Sequence, residues 1–528
     1  MLENVFNEEH TRDGSLTLVM DSIVTVTVAA DDQTLVYDHW EDGFVAGIID
    51  PANANYLSPP ADDTTTLILG DSNNANGSAC DFLARRICTG MPATDDVLRQ
   101  GDTLTFSSSQ GTAPTCTAAN PANLPSGHPT NLLGCVPLPR VDTDVRFDGG
   151  DYLAGAGGPL AVVHLQDPTV DFDNAGLPTQ GIIAGASEMI SAQAVGATTS
   201  YAIPIGEDIY GGNNSTTELF KYVYLNLVAF QDNTNVIITS PGAGNVSFSL
   251  DRGQHYSTFS GTVTGPGTIP TDPGAITTNA GTRVVTDKPI SGLIFTGGDG
   301  QFQTRFYPLL PESLYGTDYI TTAPGDDPNA GVIVHDRPLN LYIFNPDPEN
   351  SISVTATDQL GSSTFNVAAN SQIDFFSATG QGRFPAANST VRLTADRPFW
   401  GVSAYDHQGV SSDWGHAWLA TQFLSSTYTV SFSLDDDTGT GGGDIGGAPI
   451  HIAPVNDNTC VTIDFDNDGN FDQIQDLTAA AGTTLAFTGG TCANGYLVNS
   501  LESLAVSDPN DFDNDGTRVA ADKPVAIS

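Results

Sequence analysis

Two stretches toward the C-terminal end bring together residues whose types and spacing suit a metal ion. In "DFDNDGNFDQIQD" the side chains of Asp464, Asp466 and Asp468 stand at alternate positions, Gly469 follows, and Asn470 and Asp472 continue the set. Calcium takes six to eight oxygens, and a loop folded around it turns alternate side chains inward, with glycine at the sharp bend. The spacing therefore predicts a calcium loop. Its twelfth position is Gln475 and its flank "CVTI" is strand-like, so it is not an EF-hand. A second copy, "DPNDFDNDGTR", offers Asp511, Asp513 and Asp515 before Gly516, but Val519 occupies the ninth position, where a donor belongs. The competing reading of both stretches is an acidic, solvated hairpin tip.

Other clusters carry weaker signals. "YDHWEDGF" sets Asp38, Glu41 and Asp42 beside Trp40, the ingredients of a glycosidase carboxylate pair with a sugar-stacking ring. The segment follows "VTVTV" at the place where the acidic turn follows "CVTI", so a structural turn is favoured. "AYDHQGVSSDWGHAW" holds Asp406, His407, Asp413, His416, Trp414 and Trp418. Two His and two Asp suit a transition metal, but the spacing matches no established ligand pattern, and a polar contact between domains is favoured. Lys288 and Lys523 occupy equivalent places and raise the idea of isopeptide crosslinks; Arg397 stands at the third such place, so a cation pairing with a neighbouring acid is preferred. No GxSxG, P-loop or strand-linked GxGxxG is present, and no Cys is set beside a catalytic His. The chain reads as a non-enzyme.

The totals bound what these groups can do. A chain of 528 residues exceeds one ordinary core, and 39% hydrophobic residues suffice for several. The formal charge is −45, and of 62 acidic residues only 10 are Glu, so poor helix formers dominate the charged set. That field repels phosphate backbones and anionic lipid, which excludes nucleic acid as a partner and argues against membrane-surface binding. No apolar run approaches the roughly 18 residues of a membrane span. The segment "MLENVFNEEHTRDG" lacks the charged-then-apolar pattern of a signal peptide. Six cysteines (Cys80, Cys88, Cys116, Cys135, Cys460, Cys492) show no CxxC spacing, which disfavours zinc and suits disulfides in an oxidising compartment. Local pairing would join Cys80 to Cys88, Cys116 to Cys135 and Cys460 to Cys492, among about 15 connectivities open to six cysteines.

What positions the clusters is a repeat. "GTRVVTDKPISGLIF" returns as "STVRLTADRPFWGVSAY" and as "GTRVAADKPVAIS", with prolines Pro289, Pro398 and Pro524. A fainter copy, "DYLAGAGGPLAVVHL", carries Pro159. "LNLVAFQDNTNVIIT" keeps step with it, returning as "LYIFNPDPENSISVTAT" and "HIAPVNDNTCVTIDF". Val, Ile, Thr, Phe and Tyr alternate with polar residues over four to seven positions, the period of half-buried strands. "DNTNV" and "DNTCV" fit tight turns whose backbone angles Asn and Asp tolerate. The residue before proline is held extended, and proline has no N–H for a ladder, so "DKP" marks a break, bulge or edge between strands. The one helical candidate, "TTELFKYVYLNLVAF", is overridden by the repeat.

The prediction is an all-β chain of four tandem β-sandwich-like units, with a four-unit propeller-like arrangement as the rival. The units are 1–178 with a Cys-containing insertion at 72–140, 179–300, 301–410, and 411–528 with the Asp-rich loops. Set against its counterpart "KPISGLIF", "KPVAIS" breaks off within a strand, so the natural chain is expected to run on beyond Ser528.

The order "AFQDNTNVII … FSLDRGQHYSTF … GTRVVTDKPISGLIF" resembles the repeat of the IgGFc-binding-protein N-terminal domain family of bacterial surface proteins, over roughly residues 182–528. The resemblance implies secreted or surface-attached modules that adhere or build a matrix; immunoglobulin binding belongs to one mammalian branch and is not carried over. The expected function is therefore an extracellular or cell-surface structural and adhesive protein, calcium-stabilised. Its partners would be other surface proteins, further copies of itself or glycans. The alternatives are a glycan- or protein-binding recognition module using the 72–140 insertion, and a glycoside hydrolase using the Asp38–Asp42 segment.

Overall fold

The protein is described by a computed structural model. It describes residues 20–38, 43–60, 66–70, 98–107, 135–137, 152–168, 185–211, 218–264, 271–297, 305–324, 339–378, 384–386, 388–405, 414–431, 449–465, 490–506, 514 and 516–528.

The fold is all-β, built from pairs of sheets. The first pair contains β1 (Met20–Val28), β2 (Thr34–Asp38), β3 (Thr66–Leu69), β4 (Thr103–Ser107), β5 (Cys135–Pro137), β6 (Tyr152–Ala156), β7 (Leu160–Pro168) and β8 (Gly185–Glu188). Its sheets run β5-β4-β1-β7-β8 and β3-β2-β6. The second pair contains β9 (Ser200–Ala202), β10 (Tyr222–Ala229), β11 (Thr234–Ser240), β12 (Gly244–Leu250), β13 (His255–Ser257), β14 (Val263–Thr264), β15 (Arg283–Thr286), β16 (Ile290–Gly297) and β17 (Arg305–Pro308). Its sheets run β14-β13-β10-β16-β17 and β12-β11-β15-β9.

The third pair contains β18 (Gly316–Ala323), β19 (Asn340–Asn345), β20 (Ile352–Asp358), β21 (Gly361–Val367), β22 (Ser371–Asp374), β23 (Ser389–Tyr405) and β24 (Trp414–Ala417). The fourth contains β25 (Thr427–Thr429), β26 (Ile450–Pro454), β27 (Thr459–Asp464), β28 (Gly490–Cys492), β29 (Gly495–Val498), β30 (Leu504–Val506), β31 (Arg518–Ala521) and β32 (Val525–Ile527). Its sheets run β25-β31-β27-β29-β28 and β30-β26-β32.

One pairing scheme recurs. β10 lies between β13 and β16, and β11 between β12 and β15, as β26 lies between β30 and β32 and β27 between β29 and β31. β1 and β2 repeat it with β4, β7, β3 and β6. In the third the two corner strands are one continuous β23, which joins both layers into a single seven-stranded sheet, β21-β20-β23-β19-β22 with β18 and β24 also paired to β23. Residues 389–395 of β23 pair with β18 and β20, and residues 400–405 pair with β19 and β24. The proline phrase is thus the corner where the chain leaves one sheet and enters the other. β8, β17 and β24 each complete a sheet begun before residues 178, 300 and 410, so the pairing runs across those expected boundaries.

The alternation that marked the strands reflects burial. Along β11, Thr234, Val236, Ile238 and Ser240 face in, and Asn235, Ile237 and Thr239 face out. Val236 and Ile238 meet Leu225, Leu227 and Ile294 of the opposing sheet in one core. That core continues into the third sandwich, where Phe220 meets Tyr342 edge-on (4.7 Å) and Tyr315 stacks on Trp400 (5.3 Å). The stretch "TTELFKYVYLNLVAF", which the repeat reads as strand, supplies β10 after a single helical turn, Glu218–Phe220.

Candidate functional site

The corner accounts for most of the charged residues in the phrase. Asp287 accepts from the Asn235 backbone N–H (2.8 Å) and side-chain amide (2.6 Å), which hold its carboxyl below the usual range. Asp396 and Asp522 accept in the same way from the backbone N–H groups of Ser353 (2.9 Å) and Cys460 (2.8 Å). Among the described residues Lys288 and Lys523 form no close ion pair, although their charges help hold Asp287 and Asp457 down. Their ammonium groups donate to carbonyls of the preceding turn: Asp232 and Asn233 (3.0 Å) for Lys288, Asp457 and Asn458 (both 2.7 Å) for Lys523. Asn233 and Asn458 have φ of 53° and 54°, the left-handed conformation anticipated for "DNTNV" and "DNTCV". Of the three cations beside the phrase prolines, Arg397 makes a close ion pair among the described residues, with Asp347 at 2.7 Å. The backbone N–H groups of Glu349 and Asn350, and then Asn350 and Arg397 side chains, hold Asp347 down at about 2.

Tyrosines missed in the sequence complete the corner. Tyr201, Tyr319 and Tyr428 donate their hydroxyls to the carbonyls of Ile290 (2.9 Å), Phe399 (2.5 Å) and Val525 (2.6 Å), each the residue after the phrase proline. Burial raises all three phenols. The available signal was a tyrosine preceded by Ser, Asp or Thr in "TSYAI", "TDYIT" and "STYTV", ahead of every complete copy. Arg283, Arg392 and Arg518 likewise share one place, six residues before their prolines (289 − 283, 398 − 392, 524 − 518). Arg283 pairs with Glu312 (2.6 Å), and Arg392 grips Asp318 through Nε (3.0 Å) and an η nitrogen (2.8 Å).

Of the predicted calcium ligands, Asp464 lies among the described residues. It ends β27, directly opposite Arg518 at the start of β31, and is 1% exposed. Asp466, Asp468, Asn470, Asp472, Asp511, Asp513 and Asp515 lie outside them. Phe465 and Thr517 sit side by side, the Thr517 hydroxyl 3.5 Å from the Phe465 carbonyl, and Asn514 is fully buried. The two Asp-rich stretches are therefore tethered to neighbouring strands at one end of one sheet. Their described anchors, Asp464, Asn514 and Thr517, are all buried. Among the described residues no group of three or more His, Cys, Asp or Glu can hold a metal ion. The Cys460–Cys492 disulfide ties β27 to β28 across β29, and its 32-residue span contains the first stretch.

The remaining clusters resolve in part. Asp38 is buried at the end of β2, where one carboxylate oxygen accepts from the Val45 N–H (2.9 Å), the role of a turn cap. Trp40, Glu41 and Asp42 lie outside the described residues, as do Asp406, His407 and Asp413. Trp418 is core: its indole N–H donates to Ser403 Oγ (2.7 Å), and its carbonyl accepts from the Trp400 indole (3.1 Å). His416 Nε2 lies 2.7 Å from Thr321 Oγ1. Burial lowers His416 and His451 to about 4, and the charge of His451 adds to the shift of His416.

The chain matches no protein-family model, no curated protein and no solved structure.

Proposed function

We propose that the chain is an extracellular or cell-surface structural and adhesive protein of four repeated β units, with calcium bound at the Asp-rich end of the fourth. Its resemblance to the IgGFc-binding-protein N-terminal domain family belongs to this reading, as do partners drawn from other surface proteins, further copies of the chain or glycans. The observation that carries it is the use of reactive side chains as structural caps. Asp38, Asp287, Asp396, Asp522, Lys288 and Lys523 hold turns and corners, leaving their chemistry committed to the fold. The Cys460–Cys492 disulfide accords with an oxidising compartment.

Calcium would act on the acidic end of the β27–β31 ladder. Clustered aspartates repel each other, and a divalent cation removes that repulsion while ordering the loop. Binding to the folded form alone adds about 2.7 kcal/mol when calcium is 100-fold above its Kd. The test is limited proteolysis with and without chelator, with cut sites read by mass spectrometry. Chelation is expected to expose residues 449–528 to cleavage first, and Asp466→Ala to weaken calcium binding without unfolding the chain. Identical cleavage in both conditions would leave the loop as a solvated turn and end the calcium reading.

A further inference from the structure

A four-residue turn precedes β4, β13 and β30 with the same internal bonds. The Arg99 N–H donates to Asp102 Oδ2 (2.7 Å) and the Asp102 N–H to the Arg99 carbonyl (3.0 Å). Asp251 and Gln254 exchange the same two bonds (both 2.9 Å), as do Asn499 and Glu502 (2.9 and 3.1 Å). The third residue of each turn is left-handed: Gly101 (φ 94°), Gly253 (φ 79°) and Leu501 (φ 70°). Asn370 (φ 45°) holds that place before β22.

Each turn lies against the residues entering the corner strand of a neighbouring sandwich. In the second, Arg252 stacks over Phe44 (4.4 Å) and Tyr152 (4.8 Å) of the first. Asn370 of the third approaches Gly281 of the second, where an added Cβ would come 2.7 Å from its amide nitrogen. The Leu501 carbonyl of the fourth accepts from the Thr390 N–H of the third (3.2 Å). Gly101 of the first then meets Gly516 of the fourth, where an added Cβ would come 2.5 Å from the Gly101 carbonyl. Gly281, Thr390 and Gly516 are the same place, eight residues before their prolines (289 − 281, 398 − 390, 524 − 516). The contact that leads from first to second, second to third and third to fourth thus leads from fourth back to first.

A head-to-tail contact repeated with one rotation makes a ring when the rotation closes. We propose that the four sandwiches close into such a ring, the fourth docked on the first through the contact that joins the other pairs. Two independent observations agree with it. β8 lies against β17, and β17 against β24, so the strands completing three successive sandwiches are neighbours. The Glu188 carboxylate, on β8 of the first sandwich, lies near enough to Tyr428 of the fourth for its charge to help raise that phenol. Closure makes the chain a compact block rather than a flexible string of beads, which narrows the proposed structural role to a rigid building unit.

Small-angle scattering of the full chain distinguishes the two shapes. Four sandwiches of about 130 residues arranged in a square have a radius of gyration of about 29 Å, and the same four in a row about 43 Å. Gly516→Asn tests the closing contact itself, since Asn tolerates the left-handed backbone (φ 79°) but adds the Cβ that meets Gly101. Amide exchange at residues 99–102 is expected to accelerate at least tenfold in the variant, with exchange at 368–371 unchanged. A radius near 43 Å for the native chain, or unchanged exchange at 99–102 in the variant, would overturn the ring.

Discussion

Replacing both Cys460 and Cys492 by serine removes the one crosslink that spans the first acidic stretch. The bond closes a 32-residue loop. In the chain-entropy treatment, closing about that many residues restricts the unfolded ensemble by about 12 cal/mol/K, or about 3.7 kcal/mol at 25 °C. Both cysteines are only partly buried, so serine in their place adds little desolvation cost. A loss of that size is a large fraction of the 5–15 kcal/mol that holds a typical domain. The assay is urea denaturation of the full chain followed by hydrogen exchange, read separately in residues 449–528 and 222–297. The variant should lose about 3–4 kcal/mol in the former segment and almost nothing in the latter. Because the loop carries Asp464 and Asp466, calcium affinity should fall as well, since the cation must now order a longer free chain. A loss under about 1 kcal/mol would refute the reasoning by showing that the unfolded loop is already compact.

Tyr319→Phe removes the hydroxyl that donates to the Phe399 carbonyl and accepts from the Gly316 N–H, both buried; a loss of about 1–3 kcal/mol is expected in chemical denaturation. Arg392→Met should change stability by less than about 1 kcal/mol in the same assay, because the Arg392–Asp318 pair is 41% and 29% exposed and water screens it. His416 and His451 are lowered to about 4, so the folded state keeps them neutral while the unfolded state protonates them near 6.5. Their contribution is complete above about pH 6.5 and is lost as pH falls toward 4, up to about 3 kcal/mol for each. Urea midpoints at pH 7, 5.5 and 4.5 should fall, and His416→Gln should flatten the fall; an equal slope in the variant would dismiss His416 as its source.

The sequence by itself determined what neighbouring residues can dictate. Period-two alternation specified strands because successive side chains point to opposite faces, and β11 buries the residues that alternation selected. The prolines of the repeated phrase marked a break because Pro289, Pro398 and Pro524 can neither donate to a ladder nor let the preceding residue turn. The turns at Asn233 and Asn458 were legible for the same reason, a backbone angle that few side chains accept. Only the tertiary structure decided that the break is a crossing between two sheets, since β15 and β16 are consecutive in the chain but pair with β11 and β10. It alone supplied the partners of the corner: Tyr201 lies 89 residues from Ile290, and Lys288 lies 56 from Asp232. It alone put Asp464 beside Arg518, so that the described ends of two stretches read as separate sites meet on neighbouring strands of one sheet. Contacts between residues so far apart depend on how strands stack, and stacking is settled by the burial of whole faces, which short spacings in sequence do not encode.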